Sequence, residues 1–220
     1  MHPVFDKLIV FDDLDPRSAA VNMAIDELLL RDVSAPVLRV YRWEKPAVSF
    51  GYFEEFEPVL SAFPDHQLVR RWTGGGVVLH GEDFTYSLVA PGSGRFFKTS
   101  PGESYRVIHE RVASALRGAY GIAAEVVSAE RKTNSRSCFE NSVRHDVVLN
   151  NRKIAGGAQK RAETGLLHQG SIQNVTIEPG FVEKLASAFS PAVELRSFEI
   201  EEAGALAKTK YATAAWTRKF

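Results

Sequence analysis

Arg70-Arg71-Trp72-Thr73-Gly74-Gly75-Gly76-Val77-Val78-Leu79-His80 joins one short apolar strand to another through three consecutive glycines. Glycine lets a backbone take positive φ and approach a ligand where no side chain fits. It also costs conformational entropy on folding. Three in a row therefore read either as a tight strand connection or as main chain pressed against a bound group. The spacing is that of neither a Walker loop nor a dinucleotide fingerprint. The two arginines before the glycines and His80 after them favour a binding site.

Outward from this stretch, short strand-like runs alternate with few helices. Towards the N-terminus, 67–71 reads as the preceding strand, with a short helix near 58–63. The β-branched and aromatic runs 37–43 and 47–53 read as a pair of strands around Lys45-Pro46. Val21, Ala24, Ile25, Leu28 and Leu29 share one helical face, and Asp15-Pro16 reads as the start of that helix, which runs to Arg31. Residues 7–11 read as a first strand. Towards the C-terminus, 77–80 and 84–90 predict a hairpin turning at Gly81-Glu82-Asp83, followed by a loop over 91–103. Residues 104–120 predict a helix ended by Gly121. A strand over 122–127 precedes a long polar loop over 128–144. A hairpin of 146–149 and 153–155 turns at Asn150-Asn151, 166–172 reads as a strand and 179–188 as a helix. The stretch 191–220 holds a weak strand and an Ala/Lys-rich tail of helical character. Adjacent hairpins mixed with a few helices predict an α+β fold, with a largely antiparallel or mixed sheet flanked by helices. No repeat or linker interrupts residues 1–220, which predicts one catalytic domain.

The 220 residues carry 27 Lys and Arg against 27 Asp and Glu, so no bulk positive charge is present for nucleic acid. No basic segment followed by an apolar run opens the chain, and no stretch nears eighteen apolar residues. These features predict a cytoplasmic enzyme that binds neither nucleic acid nor membrane. The single cysteine, Cys138, excludes an intrachain disulfide and a thiolate zinc cluster.

Cys138 sits among Asn134, Ser135, Arg136, Ser137, Glu140 and Asn141, a polar setting unlike that of a core cysteine. A thiol near cations is what a nucleophile requires, because the thiolate is the reactive form. Arg136, Arg144 and Lys153 are the candidate cations. Lys153 leads into Ile154-Ala155-Gly156-Gly157-Ala158-Gln159, a second place where glycines allow close backbone approach. An ammonium there suits a developing negative charge on a carbonyl oxygen. His80, His145 and His168 are candidate bases, each with a structural role as the alternative.

Four stretches together resemble the lipoate–protein ligase and octanoyltransferase family, whose fold is biotin/lipoate protein ligase-like. They are Asn22-Met23-Ala24-Ile25-Asp26-Glu27, the glycine stretch from Arg70 to His80, Arg152-Lys153-Ile154-Ala155-Gly156, and Leu167-His168-Gln169-Gly170-Ser171-Ile172. Cys138-Phe139 precedes Lys153 by 153 − 138 = 15 positions, as in the cysteine-dependent, ligase-like octanoyltransferases. His145-Asp146 stands where ATP-dependent ligases carry Asn-Asp. Trp72 and the Gly81-Glu82-Asp83 continuation depart from the usual pattern.

The resemblance implies transfer of an octanoyl group from acyl carrier protein to a lipoyl-domain lysine through a thioester on Cys138. It implies Lys153 as the second catalytic residue. Arg70, Arg71, Trp72, Thr73, Gly74, Gly75, Gly76, His80, Gly156, Gly157 and Ala158 are implied to bind the acyl substrate, the glycine motif forming a wall of an apolar tunnel. The recipient is a glycine cleavage H protein or a dehydrogenase E2 subunit, the enzyme a monomer, and no metal or other cofactor is needed. The alternatives are an ATP- and Mg-dependent lipoate ligase, and a lipoyl-binding module that has lost its chemistry.

Overall fold

The computed structural model describes residues 2–129, 142–198 and 201–220. In chain order the elements are β1 (Leu8–Arg17), α1 (Ala19–Arg31), β2 (Val37–Trp43), β3 (Ala47–Phe50), α2 (Phe56–Ala62), β4 (Gln67–Arg70), β5 (Val77–His80), β6 (Phe84–Pro91) and α3 (Pro101–Tyr120). There follow β7 (Glu125–Val126), β8 (Val147–Leu149), β9 (Arg152–Ala162), β10 (Gly165–Ile172), α4 (Phe181–Phe189), β11 (Val193–Leu195), α5 (Glu201–Leu206), a π turn over Ala207–Tyr211, and α6 (Ala214–Thr217). Cys138 and the neighbouring polar residues 130–141 lie outside the described residues.

The described residues form an α+β fold on two sheets, an eight-stranded mixed sheet in the order β11-β1-β2-β6-β10-β9-β8-β7 and a small sheet in the order β4-β3-β5. In the large sheet β1 pairs in parallel with β11 and β2, and the remaining pairings are antiparallel. Both faces of its centre are covered. Leu38, Leu88 and Leu166 pack with Ile108 and Val112 of α3 and with Leu185 and Phe189 of α4. Val37, Val89 and Leu167 pack with Met23, Ile25 and Leu30 of α1 and with Tyr211 from the C-terminal segment. Burial on both faces of β10 takes in His168, Gln169 and Ser171 as well as its leucines, so these polar side chains need partners inside the fold.

Three sequence expectations are corrected. The first helix begins at Ala19 with Ser18 as its N-cap, not at Pro16. The chain stays extended to Arg17, which pairs with Trp43, and the register shift between Asp13 and Arg17 takes Pro16 out of the ladder, where its missing N–H costs nothing. Residues 77–80 and 84–91 do not pair as a hairpin: β5 pairs with β3 in the small sheet, and β6 pairs with β2 and β10 in the large one. Likewise β2 and β3 belong to different sheets. In both cases local strand pattern named the strands but not their partners, which burial decides.

Elsewhere local chemistry carried through. Gly121 ends α3 at φ 65° as its position past the periodic run predicts, although the helix begins at Pro101 rather than at residue 104, with Ser100 accepting from the Glu103 N–H. Asn150 and Asn151, at φ 51° and 63°, form the two-residue turn between β8 and β9.

Candidate active site

The loop carrying Gly74, Gly75 and Gly76 leaves β4 and enters β5, and these two strands flank β3. The loop therefore crosses over the end of β3. There Arg71 N–H donates to Phe50 O, Tyr52 N–H to Thr73 O, and Gly51 N–H to Gly76 O, at 2.8, 2.9 and 3.2 Å. Arg71 holds the loop from inside. Its Nη2 donates to the Gly74 and Gly76 carbonyls at 2.9 Å each, and its Nη1 donates to Ser49 Oγ at 2.8 Å. Gly75 takes φ 82°, where a side chain would be strained.

Arg70 points elsewhere. It is fully buried and spends its donors on carbonyls: Nη1 on Gly51, Tyr52 and Glu54, Nε on Trp216 and Thr217, and Nη2 on Thr217 again. It ties the loop after β3 to the C-terminal segment. Both arginines thus organise main chain around the loop, and of the two only Arg71 lines the neighbouring cleft.

A cleft opens between the glycine loop and the large sheet. Met23, Tyr41, Trp43 and Val78 give it apolar walls, Gly156, Gly157 and Gly170 lie along its floor, and Gly75, Ala158, Arg71, His80 and Lys153 line it too. Trp72, Thr73, Gly74 and Gly76 are not among its lining residues. Thr73 acts from behind. Its hydroxyl donates to Gln169 Oε1 at 2.7 Å, and Gln169 Nε2 donates to Asp26 at 2.7 Å. Asp26 also accepts from Arg39, which reaches Asn22 and Asp13, all of them buried. Asn22 and Asp26 of α1 thus hold up the loop without lining the cleft. The ions are paired and hydrogen-bonded, which is the condition for carrying charge in an interior.

Lys153 lies against bare main chain. A Cβ on Gly156 would stand 2.6 Å from Lys153 Nζ, so any side chain there would move the ammonium from this place. Between β8 and β9 the ladder skips Ile154, which joins Ala155 in the core while Lys153 lines the cleft. Nζ meets Asp146 Oδ2 at 2.8 Å. Tyr105 Oη donates to Asp146 Oδ1 at 2.6 Å and accepts from Gly157 N–H at 3.1 Å. One hydroxyl on α3 therefore fixes both the carboxylate that holds Lys153 and the strand beneath it. Burial, and then Asp146, push the Tyr105 phenol well above its usual range, so it stays a donor.

The three candidate histidines take different places. His80 stacks on Trp43 with centroids 4.1 Å apart, its Nδ1 2.8 Å from Asp83 and its Nε2 2.7 Å from Ser49 Oγ. Burial opposes charge on Asp83. The field of His80 and hydrogen bonds from His80, Ser171 and Thr85 outweigh it, holding the carboxyl below its ordinary range. Ser49, His80 and Asp83 have the distances of a nucleophile–base–acid relay. Ser49, however, lies on the central strand of the small sheet, its backbone paired on both sides, and its hydroxyl already accepts from Arg71. The three brace the cleft wall. His168 lies beneath the floor, where a Cβ on Gly157 would touch its ring at 2.5 Å. Burial, and then His109, hold it well below the usual histidine range. His145 is half-buried at φ 77°.

Gly51, Asp83, Tyr105 and Asp146 escaped the sequence reading as site residues. Gly51 had a signal, a glycine closing a β-branched and aromatic strand. Tyr105 and His109, four apart on the buried face of α3, had a weaker one. Among the described residues no group of three His, Cys, Asp or Glu is placed to hold a metal ion, and no helix is long and apolar enough to cross a membrane.

Residues 18–196 match the model of the lipoyl protein ligase A/B catalytic domain. The chain belongs to that family. Among its relatives, octanoyltransferase LipM of Oceanobacillus iheyensis is 37% identical over 180 residues, 71% of this chain and 60% of that protein. The LipM of Geobacillus kaustophilus is 38% identical over 168 residues, 70% and 60% of the two chains. The chain thus spans about three fifths of the length of these relatives. In fold, this lipoyl ligase-family domain is similar to lipoic acid-bound protein Ta0514 of T. acidophilum, with a TM-score of 0.75 at 21% identity, covering 97% of this chain and 100% of that one. It is likewise similar to lipoate-protein ligase A bound with ATP, at TM-score 0.73 and 21% identity, covering 96% and 98%.

Proposed function

We propose that the protein is an octanoyltransferase of protein lipoylation that works through a thioester on Cys138. The carrying observation is the setting of Lys153: an ammonium laid on the main chain of Gly156, held by Asp146, at a cleft with apolar walls. The LipM relatives and the fifteen-residue spacing from Cys138 to Lys153 support the transferase branch.

In this reading the octanoyl chain enters the cleft, each buried methylene contributing about 0.8 kcal/mol. The Cys138 thiolate attacks the carbonyl carbon of octanoyl-acyl carrier protein. The carbon–sulfur bond to the carrier breaks, and the carrier's thiol leaves with a proton. The amine of a lipoyl-domain lysine, on an H protein or an E2 subunit, then attacks the Cys138 thioester. The amide forms, the amine loses a proton and the thiolate returns. The Lys153 ammonium stabilises the oxyanion of both tetrahedral intermediates. The exchange is balanced without ATP or a metal, and one chain suffices for it.

Intact-mass measurement after incubation with octanoyl-acyl carrier protein tests this. An octanoyl increment on the wild type, absent from Cys138→Ser together with transfer to a lipoyl domain, is expected. Unimpaired transfer by Cys138→Ser would overturn the thioester route. Modification of a lipoyl domain that depends on ATP and lipoate would instead assign a ligase, with an adenylate along the glycine loop and Lys153. No product in either assay would assign a binding module.

A further inference from the structure

Three lysines and three aromatic rings alternate beside the glycine loop. Lys160 Nζ lies 5.3 Å from the centroid of Trp72. Lys210 Nζ lies 4.9 Å from the same ring and 4.4 Å from Trp216. Lys219 Nζ lies 5.5 Å from Trp216 and 4.6 Å from Tyr52, whose hydroxyl it also meets. Ring faces attract ammonium groups, so each rung steadies the next.

The row runs along the edge of the cleft. Trp72 stands between Arg71 and Thr73 in the loop, and the backbone of Tyr52 is bonded to Thr73. Lys160 is two residues past Ala158, a cleft residue, on the same face of β9. Two large apolar side chains extend the surface: Phe53 is 77% exposed and Phe220 50%, with ring centroids 6.0 Å apart. Lys210, Trp216, Lys219 and Phe220 lie beyond residue 196, where the family match ends.

Only some of the charges are spent internally. Lys210 is held by Glu27 at 2.6 Å, and Arg218 meets Glu57 at 3.0 Å. Lys160 and Lys219, at opposite ends of the row, take no carboxylate partner among the described residues. Glu54 and Glu55 follow Phe53, so the available positive charge lies along the lysine row rather than over the whole patch. Exposed rings beside unpaired cations have the composition of a protein interface, with an apolar centre and a charged rim. The whole row separates the two ammoniums, so one small anion cannot meet both.

We propose that this row docks an acidic protein, the carrier that delivers the acyl group, with carboxylates over Lys160 and Lys219 and apolar residues over Phe53 and Phe220. The proposal rests on the acyl-transfer reading above. A donor whose acyl group rides on a long flexible arm can dock beside the cleft and still reach Lys153. An acceptor must bring its short lysine side chain over the cleft itself, so a lateral surface fits the donor.

The test measures binding of octanoyl-acyl carrier protein and transfer from two donors, that carrier and octanoyl-pantetheine. Lys160→Glu/Lys219→Glu is expected to raise the carrier's Kd at least tenfold at low salt, the gap closing near about 0.5 M salt. Transfer from octanoyl-pantetheine should be unchanged, which also shows that the variant is folded. The same reversals at exposed Lys45 and Lys184 should leave carrier binding unchanged. An unchanged Kd in the first variant, an equal loss in the second, or a loss confined to lipoyl-domain binding would each overturn the proposal. Wild-type protein that binds the carrier but transfers from neither donor would count against the acyl-transfer reading, and the Kd comparison would still decide the docking.

Discussion

A Cβ atom on Gly51 would stand 1.7 Å from the carbonyl oxygen of Gly75. The two residues meet because the loop from β4 to β5 has to pass over the end of β3. Both partners in that contact are backbone, so neither can swing aside.

Gly51→Ala should therefore displace the glycine loop as a unit, at a cost of about 3 kcal/mol, the upper range for overpacking. Gly74→Ala is the contrast, because a Cβ there meets nothing within 4 Å. Its stability should stay within about 0.5 kcal/mol of wild type. Urea denaturation of the two variants checks both; equal losses would show that the crossing does not constrain the loop.

Lys153 depends on Asp146, and Asp146 on Tyr105. Asp146→Ala removes one partner of a buried ion pair and should cost about 3–5 kcal/mol. Tyr105→Phe keeps the ring against His109, 4.2 Å between centroids, and loses only the hydroxyl. It should cost about 1–2 kcal/mol and slow acyl transfer more than it weakens substrate binding. Denaturation with a kcat and KM comparison tests this. A Tyr105→Phe enzyme with wild-type kcat would remove the hydroxyl from the positioning of Lys153.

His109 gives a pH signature. Its Nδ1 donates to His145 O at 2.7 Å, its Nε2 has no hydrogen-bond partner among the described residues, and burial lowers its pKa to about 4. The unfolded chain binds that proton near pH 6.5, so between about 6.5 and 4 the unfolded state holds more protons than the folded one. Stability therefore falls as pH drops through that window, by up to about 3 kcal/mol from this residue. His168, depressed in the same direction, adds to the slope. Below this window Asp83 contributes with the usual carboxylate sign: its depressed pKa stabilises the fold above the unfolded value, and that contribution is lost as pH falls through the folded one. Stability curves from pH 7 to 4 for wild type and His109→Phe should diverge, the variant being flatter. Parallel curves would exclude His109 as a source.

Much of the site was legible because it is written in contiguous residues. The glycine stretch, Lys153 and Gly156-Gly157 all announced close approach to main chain, and the cleft brings Gly75, Lys153, Gly156, Gly157 and Ala158 together. What escaped was support from a distance. Gly51 is conspicuous only once β4 and β5 flank β3, and Tyr105 only once α3 is laid across β9.

By itself the sequence determined local elements with strong chemistry: the end of α3 at Gly121 and the Asn150-Asn151 turn. It also carried the family, since four short motifs lie in order along the chain. The tertiary structure alone decided that β5 and β6 part into different sheets, that Arg70 serves the C-terminal segment while Arg71 serves the loop, and that a carboxylate from beside β8 holds Lys153. The physical reason is range. Caps, turns and periodicity act over a few residues, whereas strand partners, buried charge pairs and backbone crossings are settled by what must be covered when distant segments meet.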